Sequence, residues 1–161
     1  MKWLDEARKH IGQKEVKGKA SNDWIVKLWS LKDKWLGSDD SVVAWCGAFM
    51  RFVFDSVGIT TPKTYYRAKD WLKWGQTITK PCVGCVVIFE RKNGGHVGLV
   101  IGQDLKRNLL VLGGNQGDSV SIASFDRNRV AGYRFPPNQT IPTDYNLPVL
   151  DINAKLSTNE A

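Results

Sequence analysis

Cysteine and histidine are scarce in this sequence. There are three cysteines, Cys46, Cys82 and Cys85, and two histidines, His10 and His96. An odd, low cysteine count makes no disulfide framework. Cys82 and Cys85 are spaced like half of a zinc or redox site, but a structural zinc takes about four ligands and there is no second cysteine pair. A thioredoxin-type pair opens a helix, whereas this one opens a predicted strand. The two are therefore expected to be partly buried core cysteines, and neither a metal nor another cofactor is expected. No apolar run approaches the ~20 residues that span a bilayer, so stable membrane insertion is not expected. The opening Met1-Lys2-Trp3-Leu4-Asp5-Glu6 returns to charge at once and lacks the pattern of a signal peptide. Synthesis in a cytoplasm is expected, with any release depending on another component.

What is present describes an ordinary globular chain. Its 161 residues, 42% of them apolar and 24% charged, fit one domain that buries its own core. The formal net charge is +7. From Pro137 onward Asp144, Asp151 and Glu160 face only Lys155, so the first 136 residues carry +9. A basic body suits an anionic polymer such as nucleic acid, anionic lipid or cell wall, although charge of this size also serves solubility alone.

Helices come first. Trp3, Leu4, Ala7 and Ile11 share one helical face, with Gly12 as a stop. A second helix is predicted over Asp23 to Leu31, capped by Ser21 or Asn22, with Trp24, Ile25, Leu28 and Trp29 as its stripe. Lys32 to Ser41 is polar and reads as loop. The third helix is the clearest: Trp45, Ala48, Phe49, Phe52, Val53 and Val57 recur at three- and four-residue steps and Gly58 closes the run. A short helix over Ala68 to Trp74 follows. After Pro81 the period changes, and five strands are predicted over 83–90, 97–102, 109–113, 120–125 and 130–134, with Asn93-Gly94-Gly95 as the first turn. Helices followed by consecutive strands imply an α+β fold with an antiparallel sheet. The expected division is a body over 1–136 and an extended, partly ordered tail over 137–161.

Cys46 falls in the first turn of the clearest helix. A thiol attacks amides as thiolate, and the unpaired N–H groups and dipole of a helix N-terminus favour that charge. Gly47 leaves room there for a substrate carbonyl, and the Cys46 N–H is placed to donate to an oxyanion. The alternative is an inert thiol on an apolar helix. His96, after the glycine turn and at a strand start, is placed to take the thiol proton. His10, late in the first helix, suits a structural or solvent-facing role instead. Asn115, in Leu112-Gly113-Gly114-Asn115-Gln116-Gly117, lies near the same sheet end as His96 if their strands are neighbours, where its amide oxygen can orient the imidazole; it is also an ordinary turn residue. Gln116 is a weaker candidate to contact the oxyanion or substrate.

These segments resemble a known family. Ala44-Trp45-Cys46-Gly47-Ala48-Phe49, Gly95-His96-Val97-Gly98 and Gly113-Gly114-Asn115-Gln116 look like the CHAP (cysteine, histidine-dependent amidohydrolase/peptidase) group of papain-like peptidoglycan hydrolases, in its compact single-domain phage branch. Ile11-Gly12, Glu15, Gly18, Asn22, Ile25, Ala68, Trp71, Leu72, Trp74, Gly75 and 130–136 extend the likeness over about residues 1–136. The resemblance implies Cys46 as nucleophile, His96 as base and Asn115 as third member. It further implies a papain-like fold with N-terminal helices on a five- to six-stranded antiparallel sheet, and hydrolysis of peptidoglycan amides without a metal. Two features depart from it: Gly84-Cys85 stands where the family usually has Gly-Asp, and the tail is not covered.

All seven tryptophans precede residue 75, and core packing is the default for them. Trp45, beside Cys46, and Trp71, with Trp74 as its alternative, are nonetheless expected to touch substrate, and Trp35, in a polar loop, to be exposed. The expected function is that of a phage endolysin, acting as a monomer on peptidoglycan in the periplasm or wall after a holin-like protein releases it, with no nucleic-acid partner. The alternatives are a secreted cysteine amidase toxin with an immunity partner, the same machinery turned on a protein isopeptide, and a catalytically inactive module binding wall or nucleic acid.

Overall fold

The computed structural model describes residues 1–17, 20–40, 43–154 and 156–157. Gly18, Ser41, Lys155 and Glu160, each used above, lie outside the described residues. Helix α1 spans Lys2–Arg8, α2 Asp23–Ser30 and α3 Cys46–Ser56. Six strands follow: β1 Gln76–Ile78, β2 Val86–Arg91, β3 Gly94–Gln103, β4 Leu109–Gly113, β5 Ser121–Phe125 and β6 Val130–Phe135. They form one antiparallel sheet in the order β1-β6-β2-β3-β4-β5. The fold is α+β.

The helices form where the sequence places their stripes. Asn22 caps α2, its side-chain oxygen accepting from the N–H of Trp24 at 2.9 Å and of Ile25 at 3.4 Å. Ile25, Leu28 and Trp29 are buried beneath it. α1 ends at Arg8, before Ile11, and Ile11 is exposed instead of extending the apolar face. The segment expected as loop after α2 contains one 3₁₀ turn, Lys34–Leu36. α3 is apolar over a wide face, with Ala48, Phe49, Met50, Val53 and Phe54 all buried, and only a narrow strip around Asp55 and Ser56 is exposed. A helix with so wide an apolar face must be covered on most of its sides. It packs on α1 and α2 and against β3 and β4, which makes it the centre of the core. Each fully buried side chain of the size of Phe49 contributes roughly 1.5–3 kcal/mol.

The five predicted strands are present, and a short strand that the sequence pattern does not mark, β1, brings the sheet to six, within the expected five to six. The expected helix over Ala68 to Trp74 is a 3₁₀ helix, Ala68–Lys73. β2 is buried at four successive positions and β4 at all five, so the central strands are covered on both faces. The β2–β3 turn is tighter than expected: Arg91 pairs with Gly94, leaving Lys92 and Asn93 as the two-residue loop. The described part of the tail contacts the body. Gln103 exchanges two backbone hydrogen bonds with it, donating to the Pro148 carbonyl and accepting from the Leu150 N–H, both at 2.9 Å, and Leu147 is buried. No helix among the described residues is long and apolar enough to cross a membrane.

Candidate active site

Cys46 is the first residue of α3, and no side chain caps that end of the helix. The first-turn N–H groups are thus left for other acceptors. Burial pushes the Cys46 thiol up. Against this, a hydrogen bond and charge from His96, with N–H donation from Val97 and Gly47, pull it down, and the thiol titrates below an ordinary cysteine. The sulfur is thereby prepared to exist as a thiolate although the residue is only 4% exposed.

His96 comes from β3, opposite Phe89 on β2. Its ring is 1% exposed and stacks on Phe125, centroids 5.4 Å apart and planes 11° from parallel. Phe89 in turn stacks on Phe125 at 4.4 Å. These rings fix the plane of the imidazole, and Gln116 fixes its rotation: Gln116 Oε1 lies 2.9 Å from His96 Nε2. The Gln116 amide nitrogen donates to the carbonyls of Val111 at 3.0 Å and Ser121 at 2.8 Å. Both of its hydrogens are therefore committed to acceptors, so the amide oxygen is the atom that faces the ring. An oxygen acceptor requires a proton on Nε2. In the neutral imidazole that leaves the Nδ1 lone pair toward the thiol, as a general base requires.

Gln116 therefore occupies the orienting position that the sequence argument assigned to Asn115. With Nε2 on Gln116 and the other ring nitrogen on Cys46, the imidazole's two polar atoms are spoken for. Asn115 is buried and adopts a left-handed backbone, φ 59°. That turn carries the next side chain, Gln116, back over β4 beneath His96. The expectation that Gln116 meets oxyanion or substrate is corrected as well, because it is 3% exposed and its amide is fully used. Space for it is made by Gly113, where an added Cβ would lie 2.5 Å from Gln116 Oε1.

Trp45 and Trp71 are likewise corrected: both are completely buried and offer no face to a substrate. The Trp45 indole N–H donates to Glu15 Oε1 at 2.7 Å. The Trp71 indole N–H donates to the Tyr65 carbonyl at 2.9 Å. That same carbonyl would sit 2.0 Å from a Cβ at Gly47. The glycine after the cysteine thus makes room for the protein's own backbone and not for a substrate carbonyl. Trp35 is exposed, as expected, its ring edge-on to Tyr66 at 5.2 Å. His10 is engaged elsewhere, with Nε2 3.0 Å from Glu6 Oε1 and its ring stacked on Trp24. Cys82 and Cys85 are buried together, the Cys82 N–H reaching Cys85 Sγ at 3.5 Å. Among the described residues no group of three or more His, Cys, Asp or Glu side chains is arranged to hold a metal ion.

A groove of about 370 Å³ reaches Cys46, lined among others by Tyr66, Arg67, Lys69, Asp70 and Arg91. Sequence reasoning passed over these lining residues. Their only signal was the general excess of basic charge.

No protein-family model and no curated protein matches this chain significantly.

Proposed function

We propose that the chain is a papain-like cysteine amidohydrolase of the CHAP kind that cleaves an amide of bacterial peptidoglycan, acting as a phage endolysin. The observation that carries the chemistry is the hydrogen-bonded series from Cys46 through His96 to Gln116, opening on a groove. The polymer is suggested by the sequence resemblance and by the basic body of the protein.

The reaction follows from the side chains. Cys46 and His96 exchange a proton to give thiolate and imidazolium, the latter held by Gln116. The thiolate adds to the amide carbonyl, and the Cys46 N–H, which has no acceptor within α3, is placed to meet the developing oxyanion. The imidazolium then gives its proton to the leaving amine, the C–N bond breaks and a thioester remains. His96, neutral again, draws a proton from water as the water attacks the thioester, and Cys46 is released. None of these steps calls for a redox change.

Purified sacculi provide the test. The protein should clear their turbidity, and Cys46→Ala should not. Wild-type protein that binds sacculi without clearing them would favour a binding module instead, and clearing by Cys46→Ala would exclude the thiol mechanism.

A further inference from the structure

Cys82 and Cys85 take no part in the chemistry proposed for Cys46. Both are free, both are buried, and they stand at the two ends of one tight turn. The Cys85 N–H donates to the Cys82 carbonyl at 3.1 Å, and Gly84, at φ 83°, supplies the left-handed corner. Such a turn brings its end Cα atoms within about 7 Å, and a disulfide bridges Cα atoms about 4.4–6.8 Å apart. The side chains also meet. The Cys82 N–H reaches Cys85 Sγ at 3.5 Å, and the Cys85 thiol donates to the Cys82 sulfur. That bond holds Cys82 below an ordinary cysteine against its burial, whereas burial and the same bond push Cys85 well above. The pair is thus divided into a sulfur ready to attack and one that keeps its proton.

The turn is also an anchor point. The Gly84 N–H donates to the Val100 carbonyl at 2.8 Å and the Val100 N–H to the Cys85 carbonyl at 2.9 Å, which ties the entry of β2 to β3. The Trp3 indole donates to the Gly84 carbonyl at 2.8 Å, which ties α1 to the same turn. Met1, 43% exposed, lies over Gly84, so on that side the turn is shielded by a surface side chain and not by the sheet. We infer that Cys82 and Cys85 form a reversible disulfide that clamps this turn when the protein meets oxidising surroundings. The oxidant is a small organic disulfide, of which glutathione disulfide is the probe. Cys82, as thiolate, attacks one of its sulfurs; a mixed disulfide forms, and one glutathione leaves with the proton that Cys82 lost. Cys85 then gives up its proton, attacks the Cys82 sulfur and displaces the second glutathione, which takes that proton. Two protein thiols become one disulfide, and one glutathione disulfide becomes two glutathiones. The clamp is independent of the reaction proposed for Cys46.

The test uses the whole chain carrying Cys46→Ala, in which this pair holds the only thiols. Folded protein is equilibrated with glutathione disulfide, quenched with N-ethylmaleimide in denaturant and weighed intact. It should lose the mass of two hydrogens and take up no maleimide. The bridged form should melt about 5 °C higher, and dithiothreitol should restore both thiols and the lower Tm. With Cys85→Ala added, the reaction should stop at a glutathione adduct on Cys82; with Cys82→Ala added instead, Cys85 should take up far less glutathione. The bridge and its Tm are read on the intact pair, so they test the clamp without either single substitution. Failure of the folded protein to bridge under conditions that bridge it in urea overturns the inference, because the folded turn then keeps the sulfurs apart or out of reach. A bridge that leaves Tm unchanged or lowers it overturns the clamp. Equal adducts on the two single variants overturn the assignment of Cys82 as the attacking sulfur.

Discussion

Replacing Gln116 with Met separates the two candidates for the third member of the site. Methionine nearly preserves volume but removes three hydrogen bonds at once: the acceptor for His96 Nε2 and the two donors to Val111 and Ser121. Each buried polar group left without a partner costs about 1–3 kcal/mol; the Ser121 carbonyl is only part-buried, so chiefly the imidazole and the Val111 carbonyl are left bare, and the substitution should cost roughly 2–6 kcal/mol of a stability that is typically about 5–15 kcal/mol. The protein should stay folded with a clearly lower Tm. The catalytic loss should be larger than folding explains. Without its acceptor the imidazole is free to adopt the other tautomer, with a proton on Nδ1, and cannot then take the thiol proton. Positioned acid–base catalysis is worth about 10²–10⁴-fold, and kcat per folded molecule should fall about 10²-fold with KM nearly unchanged. Asn115→Gly keeps the left-handed backbone and should stay within a few-fold of wild type. The assay is turnover of soluble wall fragments, normalised to the folded fraction from circular dichroism. A greater loss in Asn115→Gly than in Gln116→Met would refute the assignment.

Three further expectations follow from the same geometry. Because the Cys46 thiol titrates below an ordinary cysteine, its thiolate persists to lower pH; alkylation of the Cys46 peptide by iodoacetamide, followed by mass spectrometry, should have its half-point below that of free cysteine. His96→Ala should move that half-point upward, and an unmoved profile contradicts the ion pair. Gly47→Ala puts a Cβ 2.0 Å from the Tyr65 carbonyl and should lower Tm sharply, whereas Gly113→Ala, whose Cβ would meet Gln116 Oε1 at 2.5 Å, should lose activity out of proportion to stability; equal behaviour of the two argues against Gln116 as the orienting residue. Glu15 has its carboxyl raised by burial, despite the Trp45 hydrogen bond, with Asp118, Asp40 and Asp39 adding repulsion. A raised acid favours the folded state while protonated and loses that contribution as pH climbs through its folded value. Glu15→Gln should therefore raise Tm at neutral pH and leave it unchanged at pH below the ordinary glutamate range; thermal melts at the two pH values check the sign.

The sequence made the pair proposed as nucleophile and base legible through scarcity. With two histidines, and one cysteine opening the clearest amphipathic run, few pairings were possible. The order of elements also carried the α+β class, because the change of period after Pro81 is abrupt. β1 was missed because three residues are too few to show alternation. The exchange of roles between Asn115 and Gln116 was not legible for a different reason. Which of two adjacent side chains reaches the imidazole depends on the left-handed backbone at Asn115 and on the space Gly113 leaves, and neither is a property of composition. Trp45 and Trp71 look like cleft residues from their place in the chain. Their burial follows from the packing of α3 on both helices and sheet and from the approach of the Tyr65 backbone to Gly47.

Mass spectrometry of fragments released from purified sacculi tests the central claim most directly. Wild-type protein should release fragments bearing one new free amine and one new carboxyl at a single type of amide, and Cys46→Ala and His96→Ala should release none. Absence of new amines with wild-type protein, or their release by Cys46→Ala, would contradict the account of Cys46 as the nucleophile of a wall amidohydrolase.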